Sequence, residues 1–66
     1  MNLGENIKKA RKAAGVTQKE LAALLGVSRR TVENWEQRRT RPTGPARALL
    51  RIFQHDPRAA VKALQG

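Results

Sequence analysis

A chain of 66 residues with no cysteine, one histidine and a formal charge of +9 has room for one domain, covering 1–66, whose core must rest on apolar packing alone. This composition excludes a disulfide framework, a thiolate zinc site, a histidine metal cluster and a spacious catalytic cavity, so no cofactor or metal is expected and an enzyme is the least expected class. Fourteen Lys and Arg against five Asp and Glu favour a polyanionic partner, nucleic acid first and an anionic membrane second.

In chain order, Leu3, Ile7, Ala10 and Ala14 recur at helical spacing, and Gly15 follows them as a residue free to close a helix in the left-handed conformation. Thr17 with Glu20 fits a capping box, in which the hydroxyl accepts a free backbone N–H and the carboxylate reaches back to the cap's own N–H. A second helix therefore starts at Gln18, with Leu21 and Leu25 turned to the core and Ala22 small where a neighbour must come close. Gly26 supplies a bend, Ser28 caps a third helix, and Val27, Val32 and Trp35 complete the buried set. Arg39 to Gly44 (RTRPTG) has no apolar residue and reads as a loop. Ala46, Leu49, Leu50 and Phe53 predict a fourth helix, and the Asp56-Pro57 pair opens a short fifth one carrying Val61 and Leu64. No segment alternates with period two, so the fold class is all-α: five short helices with frayed ends.

Two helices joined by the Gly-Val-Ser turn, with Thr17-Gln18 opening the first, Leu21-Ala22 inside it, Trp35-Glu36 closing the second, and Ile7 and Arg11 in the helix before, resemble the helix-turn-helix of the phage Cro and repressor (XRE-like) family. The resemblance runs from about Gly4 to Arg41. It implies a lambda-repressor-like DNA-binding domain whose third helix enters the major groove. At about 100° per residue, Val32, Trp35 and Glu36 share one side of that helix and Arg30, Thr31, Asn34, Gln37 and Arg38 the other. Arg29 lies near the boundary, with a side chain long enough to reach the groove. The resemblance assigns base-edge reading to Arg29, Arg30, Thr31 and Asn34: arginine suits guanine, asparagine suits adenine, and the threonine methyl suits thymine. It assigns phosphate contacts to Gln18 and to Arg38, Arg39, Thr40 and Arg41 at and after the end of helix three. It also implies an orienting ion pair between Arg11 and Glu36. One departure stands out: where the family carries glycine two residues after the glutamate, this chain has Arg38, so either Arg38 is strained or helix three runs on by part of a turn.

Other charged and polar residues have plainer readings. Trp35 belongs to the core and His55 to the end of helix four; Glu33 pairs with Arg29 or Arg30, and Lys8, Lys9, Lys12 and Lys19 are either solubilising or near phosphates. A narrower likeness, in "RPTGPARALLRIF" and "HDPRAAVKAL", is to HigA- and NadS-like antitoxins or regulators, which implies a toxin protein as a second partner. Because little chain precedes helix one to wrap a toxin, the expectation is a sequence-specific double-stranded DNA-binding transcriptional regulator and repressor first, an antitoxin second. One domain reads too few base pairs to compete with a genome, so a homodimer is expected, its interface drawn from Ile52, Phe53, Val61 and Leu64.

Rival classes fit less well. The cations are spread over several capped helices rather than set against one apolar stripe, which disfavours a membrane-surface peptide, and the two aromatics are expected inside, which disfavours an RNA stacking platform. No apolar run approaches a bilayer span and the amino end MNLGENIKK lacks a signal peptide's apolar block, so the expected location is the cytoplasm.

Overall fold

Each helix of the computed structural model, which describes residues 3–66, begins or ends at a residue whose chemistry demands it. The five are α1 (Leu3–Ala14), α2 (Gln18–Leu25), α3 (Arg29–Glu36), α4 (Gly44–His55) and α5 (Pro57–Gln65), and the fold is all-α. The fraying expected at the amino end falls on residues 1 and 2, outside the described residues; at the other end α5 continues to Gln65.

Both halves of the capping box are formed: Glu20 N donates to Thr17 Oγ1 at 3.0 Å, and Thr17 N donates to Glu20 Oε1 at 2.9 Å. Ser28 Oγ accepts from Thr31 N at 3.2 Å and Asp56 Oδ1 from Ala59 N at 3.3 Å, so α3 and α5 each start on a side-chain cap. The backbone and hydroxyl of Thr17 hold the Glu20 carboxyl below its ordinary value. The ionised carboxylate therefore adds stability that is complete above the unfolded glutamate value, about 4.3, and disappears as pH falls through the lower folded value. Glu20→Gln, which can still reach back to Thr17, should melt below the wild-type protein at neutral pH and alongside it in acid. An equal gap at both pH values would mean that the charge has no part in the cap.

Three helices end in the same pair of reverse bonds. After α1, Gly15 N donates to Lys12 O and Val16 N to Arg11 O, both at 3.1 Å; after α2, Gly26 N donates to Ala23 O at 3.3 Å and Val27 N to Ala22 O at 3.0 Å. After α3 the equivalent bonds are Arg38 N to Trp35 O at 3.2 Å and Arg39 N to Asn34 O at 2.9 Å. The residue at the bend must take a positive φ: 72° at Gly15, 73° at Gly26 and 63° at Arg38. Of the two alternatives for Arg38, the structure takes strain, and α3 stops at Glu36. Continuing the helical rotation past that point misplaces Arg38. Its Cγ lies over Gly4 at the start of α1 rather than on the outer face of α3, because the left-handed residue turns the chain.

Helix α1 lies against α3, α4 and α5, and α2 against α3 and α5. Ile7, Leu21, Val32, Leu50 and Phe53 are fully enclosed, with Ala10, Ala22, Trp35, Ala60 and Val61 around them. Leu25 and Val27, expected inside, are half-buried at the edge of this core, because the α2–α3 turn that carries them runs over the surface. Leu49, expected to pack inward from α4, is 38% exposed, Leu64 is 36% exposed, and Ile52 is largely exposed at 61%. Phe53 and Val61, considered above for an interface, belong to the core.

Candidate nucleic-acid interface

Beside the apolar packing of Val32 and Trp35, helix α3 is tied to the domain through one carboxylate. Glu36 Oε2 accepts from Arg11 Nε at 2.8 Å, and its Oε1 accepts from Arg11 Nη2 at 3.1 Å and from Gln18 Nε2 at 3.2 Å. Arg11 also donates from Nη1 to the carbonyl of Val16 at 3.2 Å. The two charged side chains are 13% and 3% exposed, so the pair is shielded from water and two-pronged, the arrangement in which an ion pair fixes an angle. It joins the end of α1, the turn that follows, the start of α2 and the last residue of α3. Gln18 keeps one amide N–H on Glu36 and has a second to offer outward.

The side of α3 opposite Val32 and Trp35 is polar. Arg29 and Arg30 are exposed, and Thr31 and Asn34 half-buried. Thr31 Oγ1 shares a hydrogen bond with Ser28 Oγ at 2.9 Å, which fixes the hydroxyl toward the cap and leaves the rotation of its methyl restricted. Asn34 Oδ1 accepts from Arg39 Nη1 at 3.3 Å, so its carbonyl end is engaged and its amide donors are not used by that bond.

Glu33 lies between two arginines, 3.7 Å from Arg29 Nη1 and 3.6 Å from Arg39 Nη1. Of the two partners expected, Arg29 or Arg30, the structure pairs Arg29; the Arg39 pairing arises because the left-handed turn at Arg38 sends the chain back toward Asn34. Arg39 is thus brought to the polar outer side of the helix, and Thr40 and Arg41 follow it, exposed in the loop beyond. Both arginine contacts are long and exposed enough to exchange for a stronger anion.

Arg38, Thr40 and Arg41 meet around an open hollow of about 760 Å³ between the start of α1, the end of α3 and the start of α4. Arg47 lines the same hollow, a residue that sequence spacing did not single out because the first turn of α4 reaches this place only through the path of the loop before it. Pro42 is itself buried there. The only cue in the sequence was its position one turn into a helix that follows a cationic loop.

The acidic residues are largely used internally. Glu20 and Asp56 cap helices, Glu36 holds Arg11, and Glu33 sits between Arg29 and Arg39. The positive excess therefore faces outward, where it can attract a polyanion from a distance. Among the described residues there is no grouping of His, Asp or Glu able to hold a metal ion, and no helix is long and apolar enough to cross a membrane.

Arg38→Gly should raise stability by about 0.5–1 kcal/mol, the relief of left-handed strain less the greater freedom of glycine in the unfolded chain. That corresponds to a few degrees in melting midpoint for a domain of this size. A lower midpoint would mean that the contact of the Arg38 stem with α1 outweighs the strain.

Comparison with known proteins agrees with this geometry. The chain is 37% identical over 51 residues to the uncharacterized HTH-type transcriptional regulator YiaG of Escherichia coli, an alignment covering 77% of this chain and 53% of that protein. It is 53% identical over 36 residues to antitoxin HigA-2 of Vibrio cholerae, covering 54% of this chain and 35% of the antitoxin. It is also 44% identical over 59 residues to the type II methyltransferase M.SsoII of Shigella sonnei, but that stretch, 85% of this chain, is 16% of the methyltransferase. The chain thus spans about half the length of the E. coli regulator and smaller fractions of the other two. No solved structure matched it. The helix-turn-helix family pattern matches residues 7–46, from the buried Ile7 of α1 through both helices of the motif and the cationic loop, and the chain belongs to the helix-turn-helix family.

Proposed function

We propose that residues 1–66 form a single domain that binds double-stranded DNA by sequence, as a cytoplasmic transcriptional repressor, with α3 inserted in the major groove and two copies on a two-fold operator. The observation that carries this reading is the attachment of α3 through the shielded Arg11–Glu36 pair, which leaves its polar side outward and its end flanked by cations. Arg29, Arg30, Thr31 and Asn34 would read base edges, each good bidentate contact contributing about 1–3 kcal/mol of discrimination. Gln18, Arg38, Arg39, Thr40 and Arg41 would hold phosphates and set the register. On binding, Arg39 and Arg29 would leave Glu33 for the duplex, and Arg39 would release Asn34 for adenine. Ile52 and Leu49, exposed on α4, and Leu64 on α5 are the apolar residues from which a dimer contact would be drawn.

A second reading is an antitoxin that binds a toxin protein and represses its own operon. The identity with antitoxin HigA-2 supports it.

Selection from a random duplex library at physiological salt tests the first reading. A palindromic consensus with half-sites about one helical turn apart is the expected result. No consensus, with binding that vanishes as salt rises, would mean that charge acts alone and that the reading fails. On the selected duplex, Arg30→Ala should lose preference at one or two base positions, while Arg41→Ala should weaken all duplexes alike and reduce the salt slope by about one. Equal weakening of every sequence by both variants would overturn the division into reading and positioning residues.

A further inference from the structure

The cationic surface does not stop at the helix-turn-helix. On the flank where the end of α1 meets α5 there is a shallow hollow of about 300 Å³ whose charged lining is Lys12, Arg58 and Lys62. It adjoins a second hollow, of about 530 Å³, at the turn into α2, whose lining includes Gln18, Lys19 and Arg29. Lys12 and Gly15 line both, so the two are continuous, and no carboxylate lines either. The strip therefore runs from the recognition helix, past the start of α2, to a part of α5 outside the motif.

Its construction follows from the helices. Arg58 and Lys62 are four residues apart on α5 and share one face, beside the buried Ala60 and Val61 that fix the helix to the core. Arg11 is consumed by Glu36, which leaves the next residue, Lys12, to point outward between the hollows. Apart from Gln65, the rest of the lining is Ala13, Ala14, Gly15 and Val61, small or short side chains that let an elongated anion come close. Cations spread along two adjoining shallow hollows, from Arg29 and Lys19 through Lys12 to Arg58 and Lys62, suit a nucleic-acid backbone, which repeats its charge along a line, better than a single compact anion.

We propose that Lys12, Arg58 and Lys62 form a flanking phosphate strip that holds the DNA backbone beyond the base pairs read by α3. This rests on the duplex-binding reading above and extends it to a surface outside the helix-turn-helix. It makes α5 part of the DNA-binding surface, and it lengthens the operator needed for full affinity without adding sequence preference.

The test is binding of the wild-type protein, the Arg58→Gln/Lys62→Gln double variant and Lys12→Gln to the selected operator, once with long flanks and once trimmed to the consensus, across a salt series. All three side chains are exposed, so the variants should melt with the wild-type protein. On the flanked duplex the double variant should show a salt slope shallower by about 1.8, and Lys12→Gln by about 0.9, with base preference unchanged. Trimming the flanks should weaken the wild-type protein and remove the difference. Lys9→Gln, on another side of α1 beside Gln54 and Pro57, removes one charge as a control and should leave the slope unaltered. Equal slopes for wild type and the double variant on the flanked duplex would overturn the strip, as would an intact duplex slope accompanied by lost binding to an acidic protein. Failure of the underlying reading is separate: it would appear as absence of any consensus for the wild-type protein, whatever the variants do.

Discussion

Glu36→Ala should destabilise the domain by about 3–5 kcal/mol, because it leaves the Arg11 guanidinium shielded and without its carboxylate. The loss is larger than that of an ordinary surface ion pair for a geometric reason. One carboxylate accepts from two nitrogens of Arg11 and from Gln18, and it is 3% exposed, so water cannot take its place without opening the packing of α1 on α3. A domain of this size has a total stability of roughly 3–10 kcal/mol, so the variant should be partly or wholly unfolded at physiological temperature. Urea unfolding followed through Trp35, one residue away, measures it. Glu36→Gln keeps the shape and one acceptor but not the charge, and should fall between the two. A Glu36→Ala loss below about 1 kcal/mol would place the pair among exposed ones and leave the angle of α3 to apolar packing alone.

Gly4→Ala should be the second most damaging change, although it adds one methyl group. A Cβ at this position would lie 2.5 Å from the carbonyl oxygen of Trp35 and 2.8 Å from that of Glu36. Both atoms are backbone, held in the last turn of α3, and cannot swing aside as a side chain can. Either α1 or the end of α3 must shift, at a cost of about 1–3 kcal/mol or somewhat more. The same shift would tilt α3, so on the proposed function the variant should bind the selected operator more weakly even where it remains folded. Gly44→Ala is the control, since a Cβ there meets nothing within 4 Å. If Gly4→Ala melts with the wild-type protein, the close approach of α1 to α3 is softer than its distances imply.

Helix limits and the motif were legible before any coordinates because they depend on neighbours in the chain. The Thr17–Glu20 box, the Ser28 and Asp56 caps and the bends at Gly15 and Gly26 each need only residues within a few positions of one another. The side of α3 that faces out was legible for the same reason, up to Glu36. Past that residue the rotation no longer applies, and Arg38 was assigned the wrong side.

The Arg11–Glu36 pair was named from the family likeness, since residues 25 apart give no local sign of contact. Other features were decided by tertiary structure alone. The chain turns left-handed at Arg38 rather than extending α3, because the reverse bonds from Arg38 and Arg39 close the helix there. Arg39 folds back onto Glu33 and Asn34 after the left-handed turn at Arg38, and Arg47 comes to the same hollow as Arg41 beside the buried Pro42.

Gly4 looked like any residue in a first turn until the end of α3 lay across it. Apolar periodicity could mark which residues might be buried, but it could not divide Phe53 and Val61 from Ile52 and Leu49, since a helix with a broad apolar face buries only what another helix covers. By itself the sequence determined which helices form, where they are capped and that the charge would be positive. Which side chains meet across the domain, and hence which cations line one surface, depended on the packing of α1 against α3 and α5, an arrangement of residues distant in the chain that local patterning does not encode.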